Sequence, residues 1–215
     1  MSEKISIVVG FDQREAVAFH TFTQSVIEKA SLPVIFIPLA GNTLKDYKET
    51  HTDGSNAFIY SRFLTPYLNN YQGWAIFADG DMICQADIKE LWDLRDPNKA
   101  LLVVKHKYQT KQKEKYLGNI NENYPRKNWS SFILWNCSHI SNKKVTPDFV
   151  NSASAMELHR FLWLEDNEIG ELNVRWNWLV GDYSNPPSDV KNIHWTLGGP
   201  YFNEFKDVDF AEEWF

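Results

Sequence analysis

Apolar residues along this 215-residue chain fall into short unbroken runs separated by amphipathic stretches. "ISIVVGFD" (5–12) is continuously apolar up to its last residue, the pattern of a strand buried on both faces. "QREAVAFHTFTQSVIEKA" (13–30) places Phe19, Phe22, Val26 and Ala30 at helical spacing. "PVIFIPL" (33–39) predicts a second buried strand, and "NAFIYSRFLTPYL" (56–68) a helix that Pro66 ends or kinks. "GWAIFADGD" (73–81) predicts a third strand, followed by a short helix over "DIKELWDL" (87–94) with Asp87 as its cap. "ALLVVKH" (100–106), "SSFILWNC" (130–137) and "VKNIHW" (190–195) predict further strands. A helix is expected over 146–164, with Thr146 as cap and Pro147 in its first turn.

Strands alternating with helices imply one layered α/β domain over residues 1–215, its central sheet mostly parallel and flanked by helices. The polar stretch from Gln109 to Lys127 is long for a plain connection, so a functional or a mobile loop is expected there.

The net charge of −6 argues against a nucleic-acid partner, which needs a basic face. Lys111, Lys113 and Lys115 form the one basic cluster, which reads as a solvated loop. Nine Trp are more than stacking platforms would require, so most rings belong to the core, Trp129, Trp176 and Trp178 included. Trp176 is also kept as a candidate sugar contact. Cys84 and Cys137 read as small buried residues with free thiols. With no secretory leader and no apolar run long enough to span a membrane, a reducing, cytoplasmic setting is expected.

Candidate chemistry begins at "IFADGDMICQADI" (76–88). A strand predicted to be buried ends on Asp79 and Asp81, and carboxylates are costly to bring together unless something positive lies between them. In open α/β sheets, ligands bind beyond the carboxyl ends of the strands. Residues i and i+2 of an extended segment share a side, and Gly80 between them lets the chain turn and a ligand approach. Two hard oxygen donors suit Mg²⁺ or Mn²⁺. A pair of capping aspartates is the plainer reading of the same three residues. His194, at the end of a late strand, offers a nitrogen ligand that tilts the choice toward Mn²⁺, and Gly198 and Gly199 offer backbone N–H groups to a diphosphate.

The ordered blocks "GSNAFIYSRFLTPYL", "GWAIFADGDMIC", "YPRKNWSSFILWNC", "LHRFLWLEDNEIGELNVRWNWLVG" and "HWTLGGPYF" resemble those of small bacterial and phage enzymes similar to glycosyltransferase family 8. The resemblance covers Ile5 to about Phe202 and implies a GT-A fold. It implies that Asp79, Asp81 and His194 hold a divalent metal and that Gly10, Phe11 and Asp12 face the nucleotide. It places Arg62 near the donor diphosphate, Asp166 near the donor sugar, and Asn128 and Ser131 toward sugar and acceptor. The donor it implies is a nucleotide sugar, a UDP-sugar in the first place, and the acceptor a glycan or small molecule. One departure stands out: family members commonly carry a lysine in a Gly-x-x-Lys segment after the late histidine, and "HWTLGGPYF" has none. Arg62, a lysine elsewhere such as Lys105, or the metal alone would then neutralise the diphosphate.

Individual residues have plainer readings: Arg62 as a surface ion pair, Asp166 as part of a solvated acidic turn, Asp12 as a helix cap before Gln13. Two other functions share the aspartate pair. A haloacid-dehalogenase-type phosphohydrolase would use Asp79 as nucleophile, but Met82 follows the pair and the motif lies deep in the chain. A non-catalytic nucleotide-sugar or glycan-binding protein would bind without turnover.

Overall fold

The computed structural model describes residues 3–110, 112–118 and 121–215. Six strands form the main sheet: β1 (Ile5–Gly10), β2 (Val34–Leu39), β3 (Trp74–Ala78), β5 (Leu101–Val104), β6 (Phe132–Asn136) and β7 (Ile169–Leu172). They lie in the order β2-β1-β3-β6-β5-β7, all parallel to their neighbours except β6, which runs against both β3 and β5. A second sheet joins β4 (Met82–Cys84), β9 (Asn192–His194) and β8 (Trp178–Leu179), in that order.

Strand periodicity sorts the core into two layers. Ile5, Ile7 and Val9 of β1 join Ile76 and Ala78 of β3 beneath α1 (Ala16–Lys29) and α3 (Ile88–Trp92). Val8, Phe77 and Trp135 face the opposite layer with Phe63, Leu64 and Phe161. Of the four anchors predicted for α1, Phe19, Phe22 and Val26 are buried, while Ala30 is half-buried and caps the helix from outside it. Asp87 caps α3 through a bond from Lys89 N.

Several elements differ from the sequence expectation. β2 is an edge strand with half-exposed residues, where Pro38 is tolerated because one side of the backbone needs no partner. Within 56–68 only α2 (Thr65–Leu68) is α-helical; Ser61–Leu64 is a 3-10 turn. The long helix expected over 146–164 is two short ones, α4 (Pro147–Ser152) and α5 (Ala155–His159). Thr146 caps the first, and Ser154 opens the second with a capping box closed by Glu157, so the chain restarts rather than continues.

Candidate active site

The two aspartates follow β3 directly, and their backbone is fixed from two directions. Asp79 N donates to Ser131 O at 2.9 Å, at the start of β6, while Trp195 N donates to Asp81 O at 3.1 Å. Because Met82 pairs with His194 across β4 and β9, the late histidine arrives beside the pair. Gly80 is needed for passage: a Cβ there would lie 3.0 Å from Gly10 O.

Ligand atoms of Asp79, Asp81 and His194 all lie within 4.8 Å of one another. His194 Nε2 is 3.3 Å from Asp81 Oδ1, and Arg62 Nη1 is 2.9 Å from Asp79 Oδ1. The Arg62 contact is one of charge rather than an aligned hydrogen bond, since Asp79 Oδ1 is buried without a hydrogen-bond partner. An acceptor left in that condition, within a set of two carboxylates and one imidazole, fits a hard divalent cation. Burial raises the Asp79 carboxyl above its ordinary range despite Arg62. Burial opposes the Asp81 carboxylate too, but the His194 imidazole beside it brings it below the ordinary value.

Behind the histidine lies a polar relay that sequence reasoning did not find. Asn177, fully buried, accepts from His194 Nδ1 through Oδ1 at 2.8 Å. Its Nδ2 donates to Ser131 Oγ (2.8 Å) and to His106 Nε2 (3.1 Å). His106 Nδ1 in turn lies 2.9 Å from the Tyr183 hydroxyl. Burial pushes His106 down to about 3, so it stays neutral, accepts at Nε2 and donates at Nδ1. The relay therefore keeps a proton on His194 Nδ1, so Nε2, which faces Asp81, is the atom available to a cation. Nothing local in "RWNW" or "VKHK" distinguishes these residues from ordinary polar neighbours of a strand.

Asp79 and Asp81 line a cavity of about 610 Å³ together with Arg62, Asn128, Ser131, Thr196 and residues of the 109–127 stretch. A small cleft shares Asn56, Asp81 and Tyr116 with it and is lined by Gly10, Asp12, Glu15 and Gly80. There Asp12 is fully engaged: it accepts from Arg14 and from Ala57 N and caps the turn that leads into α1. Burial pushes the Glu15 carboxyl up to about 7, helped by the charge of Asp81, and the Tyr201 hydroxyl donates to it at 2.6 Å.

Other expected residues lie elsewhere. Asp166 is not at the cavity; its carboxylate is exposed at the surface and paired with Arg126. Trp176 is buried among the α1-side core residues, so it offers no face to a sugar. Phe11 is half-buried edge-on against Phe19 and lines neither opening. Gly198 N is already bound to Trp195 O at 2.9 Å, so the amide expected to meet a diphosphate is occupied. Gly198 and Gly199 are glycines for packing, since a Cβ would lie 2.5 Å from the Phe205 ring or 2.3 Å from the Tyr201 ring. Lys105 sits over the Trp129 ring, outside the cavity lining. Of the lysine cluster, Lys111 lies outside the described residues and Lys113 is exposed, but Lys115 is half-buried in the cavity wall.

Comparison with known proteins agrees with this geometry. The profile of glycosyl transferase family 8 matches residues 4–196. Protein CDI of Arabidopsis thaliana is 43% identical over 216 residues, covering 97% of this chain and 83% of that protein. Among solved structures, the bifunctional glycosyltransferase WbbM aligns with a TM-score of 0.70 at 16% identity, over 100% of this chain and 49% of WbbM. GlyE of Streptococcus pneumoniae aligns at 0.64 and 13% identity, over 99% of this chain and 59% of that one. The galactosyltransferase LgtC, solved with donor and acceptor sugar analogs, aligns at 0.59 and 14% identity, over 98% and 94% of the two chains. The chain thus spans only about half of WbbM and three fifths of GlyE. A GT-A sheet that ends on the Asp79–Asp81 pair, met by a late histidine and matched by the family profile over residues 4–196, makes this chain a member of glycosyl transferase family 8.

Proposed function

We propose that the protein transfers a sugar from a nucleoside diphosphate sugar, a UDP-sugar, to a glycan or small-molecule acceptor, with a divalent metal and with retention of anomeric configuration. The observation that carries this reading is the Asp79–Asp81–His194 cluster, with both carboxylates in the wall of a cavity large enough for such a donor. These three residues would hold Mn²⁺ or Mg²⁺. A bound ion of this kind supplies Lewis-acid stabilisation of a leaving diphosphate.

The chain's own groups do the rest. Arg62, buried and aromatic-walled between Phe58 and Phe77, sets a permanent positive charge against Asp79 and the donor phosphates. The nucleoside end would lie on the Asn56–Tyr116 side of the main cavity, next to the cleft of about 20 Å³ at Gly10, Asp12 and Gly80, which is itself too small to hold it. Asn128 and Ser131, in the cavity wall, are the candidate sugar contacts, and Ser131 Oγ donates to Asn128 O at 2.8 Å, holding that segment in place. Retention by front-side attack needs no dedicated base, which is compatible with Asp166 lying outside the cavity.

The test is a thermal-shift series with UDP-, GDP-, ADP- and dTDP-sugars, each with Mn²⁺ and with EDTA. One nucleotide sugar is expected to raise the melting temperature in Mn²⁺ and to lose that effect in EDTA. Slow hydrolysis of the same donor should depend on the metal. A rise of equal size in EDTA would refute the metal role, and no rise with any donor would refute the donor class.

A further inference from the structure

The family resemblance leaves a gap at the diphosphate, because no lysine follows His194 in "HWTLGGPYF". The structure brings a different lysine to the same strand end. Tyr116 N donates to Leu197 O at 2.9 Å, docking the 112–118 segment against the residues just after β9. In that register Lys115 Nζ donates to Thr196 Oγ1 at 3.0 Å, two residues beyond the metal-site histidine.

Lys115 lines the cavity beside Asp79 and Asp81. Among the described residues it makes no ion pair, and the Thr196 hydroxyl is its one hydrogen-bond partner. Two of the three ammonium donors are therefore unspent in a half-buried position. Of the other cations in the cavity wall, Arg160 stands on the far segment after α5, away from the β9 end, and two are already bonded to protein groups. Arg62 is turned to Asp79 and Ser130 O, and Lys127 Nζ is bound by Asn121 Oδ1 and Glu122 O. A half-buried charge with open donors is costly unless a ligand completes it. The open ammonium lies in the lining of the same cavity as the Asp79 and Asp81 carboxylates of the candidate metal cluster, and a diphosphate is the group whose charge a cation there and Lys115 would share.

We infer that Lys115 is the diphosphate-binding cation of this enzyme, delivered from the 109–127 stretch to the position left vacant after His194. The inference rests on the proposed nucleotide-sugar activity. It reassigns Lys115 from the solvated loop to the donor site, and it makes Thr196 a positioning residue that aims the ammonium.

The experiment compares wild type, Lys115→Met and Thr196→Val by calorimetric titration with Mn²⁺ alone, then with UDP, GDP and ADP in saturating Mn²⁺, and with the matching nucleosides. Losing a charge-assisted hydrogen bond should weaken the preferred diphosphate about 10- to 100-fold in Lys115→Met. Thr196→Val, which removes only the anchoring hydroxyl, should weaken it by less, about 3-fold. The nucleoside should bind both variants as it binds wild type. Mn²⁺ alone should bind Lys115→Met as tightly as wild type or tighter, because a nearby positive charge has gone. Equal diphosphate affinity in wild type and Lys115→Met overturns the inference while leaving the donor class intact. Joint loss of Mn²⁺ binding, diphosphate binding and melting temperature also overturns it, since that marks a merely structural lysine. A wild type that binds none of the diphosphates in Mn²⁺ refutes the proposed activity itself.

Discussion

Replacing Asn177 by Leu tests whether the buried relay sets the metal ligand. Leu keeps the branched skeleton of the amide but carries bulkier methyls, so the hydrogen-bond loss worked out below is a lower bound on the cost. The amide serves three partners: Ser131 Oγ, His106 Nε2 and His194 Nδ1. An unsatisfied buried polar group costs about 1–3 kcal/mol. Ser131 keeps its bond to Asn128 O, so its share is at the low end, whereas the two imidazole nitrogens lose their partner outright. Their sum is about 4 kcal/mol, and removing the amide's own desolvation returns about 1 kcal/mol, for a net loss near 3 kcal/mol. With a urea m-value of about 2–3 kcal/mol/M, the midpoint should fall by about 1–1.5 M in metal-free buffer.

The same substitution should also act on the metal. Without Oδ1 to hold the Nδ1 proton, His194 is free to change tautomer and present N–H toward Asp81, which removes its lone pair from the site. Loss of a partner that orients a metal histidine costs about 10- to 100-fold in affinity. Equilibrium urea unfolding followed by tryptophan fluorescence reads the first effect, and Mn²⁺ titration followed by electron paramagnetic resonance reads the second. A midpoint shifted by less than about 0.2 M with Mn²⁺ affinity within about 2-fold of wild type would refute the relay.

Asp81→Asn should abolish the stabilisation that Mn²⁺ gives the wild type, which is about 2.7 kcal/mol at a hundredfold excess over Kd; a preserved rise in melting temperature would place the ion elsewhere. Gly10→Ala puts a Cβ 2.3 Å from the Phe58 ring and should cost about 1–3 kcal/mol in urea unfolding, with Phe58→Leu in the same chain recovering part of it; an unchanged midpoint would show that the ring moves freely. His159 carries the pH prediction. Burial, with Arg62 adding to it, pushes this imidazole down to about 3 in the folded protein, and Nε2 is buried without a partner. Between that value and the ordinary unfolded value of about 6.5, the unfolded chain binds a proton that the native state refuses. Its contribution is therefore complete above pH 6.5 and declines as the pH falls toward 3. His159→Gln should flatten the stability curve by up to about 1.4 kcal/mol per pH unit between about pH 6 and 4, and curves parallel to wild type would refute the assignment.

The long strands and α1 were legible because each is an element whose pattern its burial dictates. β1, β3, β5 and β6 are apolar on both faces, and core lies on both sides of them. The elements that escaped notice owe their form to something other than periodicity. β4 and β8 are three and two residues long and exist because β9 runs between them. Phe58, Tyr60, Phe63 and Leu64 are as buried as a helix face would make them, yet the chain takes turns there. The Asn56 side chain accepts from Phe58 N, and Phe63 N bonds back to Tyr60 O, a three-residue closure. Burial alone did not reveal that choice, because both conformations satisfy it.

The site divides along the same line. Asp79 and Asp81 could be found because carboxylates ending a buried strand conflict with local hydrophobic logic, and such conflicts mark function. A histidine ending a strand offends no local rule, so His194 stood out only once the aspartate pair called for a partner at another strand end, and the resemblance gives it the same role. Asn177, His106 and Lys115 were invisible for a physical reason: each matters through a partner far off in sequence. Asn177 and His106 look like polar punctuation until they bond each other across 71 positions. Lys115 belongs to a lysine-rich stretch whose composition does suit solvent, and Lys113 two residues away is exposed. What separates the two lysines is the docking of Tyr116 N on Leu197 O, which turns one side chain inward to Thr196 while its neighbour stays in water. A lysine missing from a motif is therefore not evidence that the charge is missing from the site. The relevant unit is the surface on which β9 ends, and any segment that pairs with that surface can place an ammonium on it.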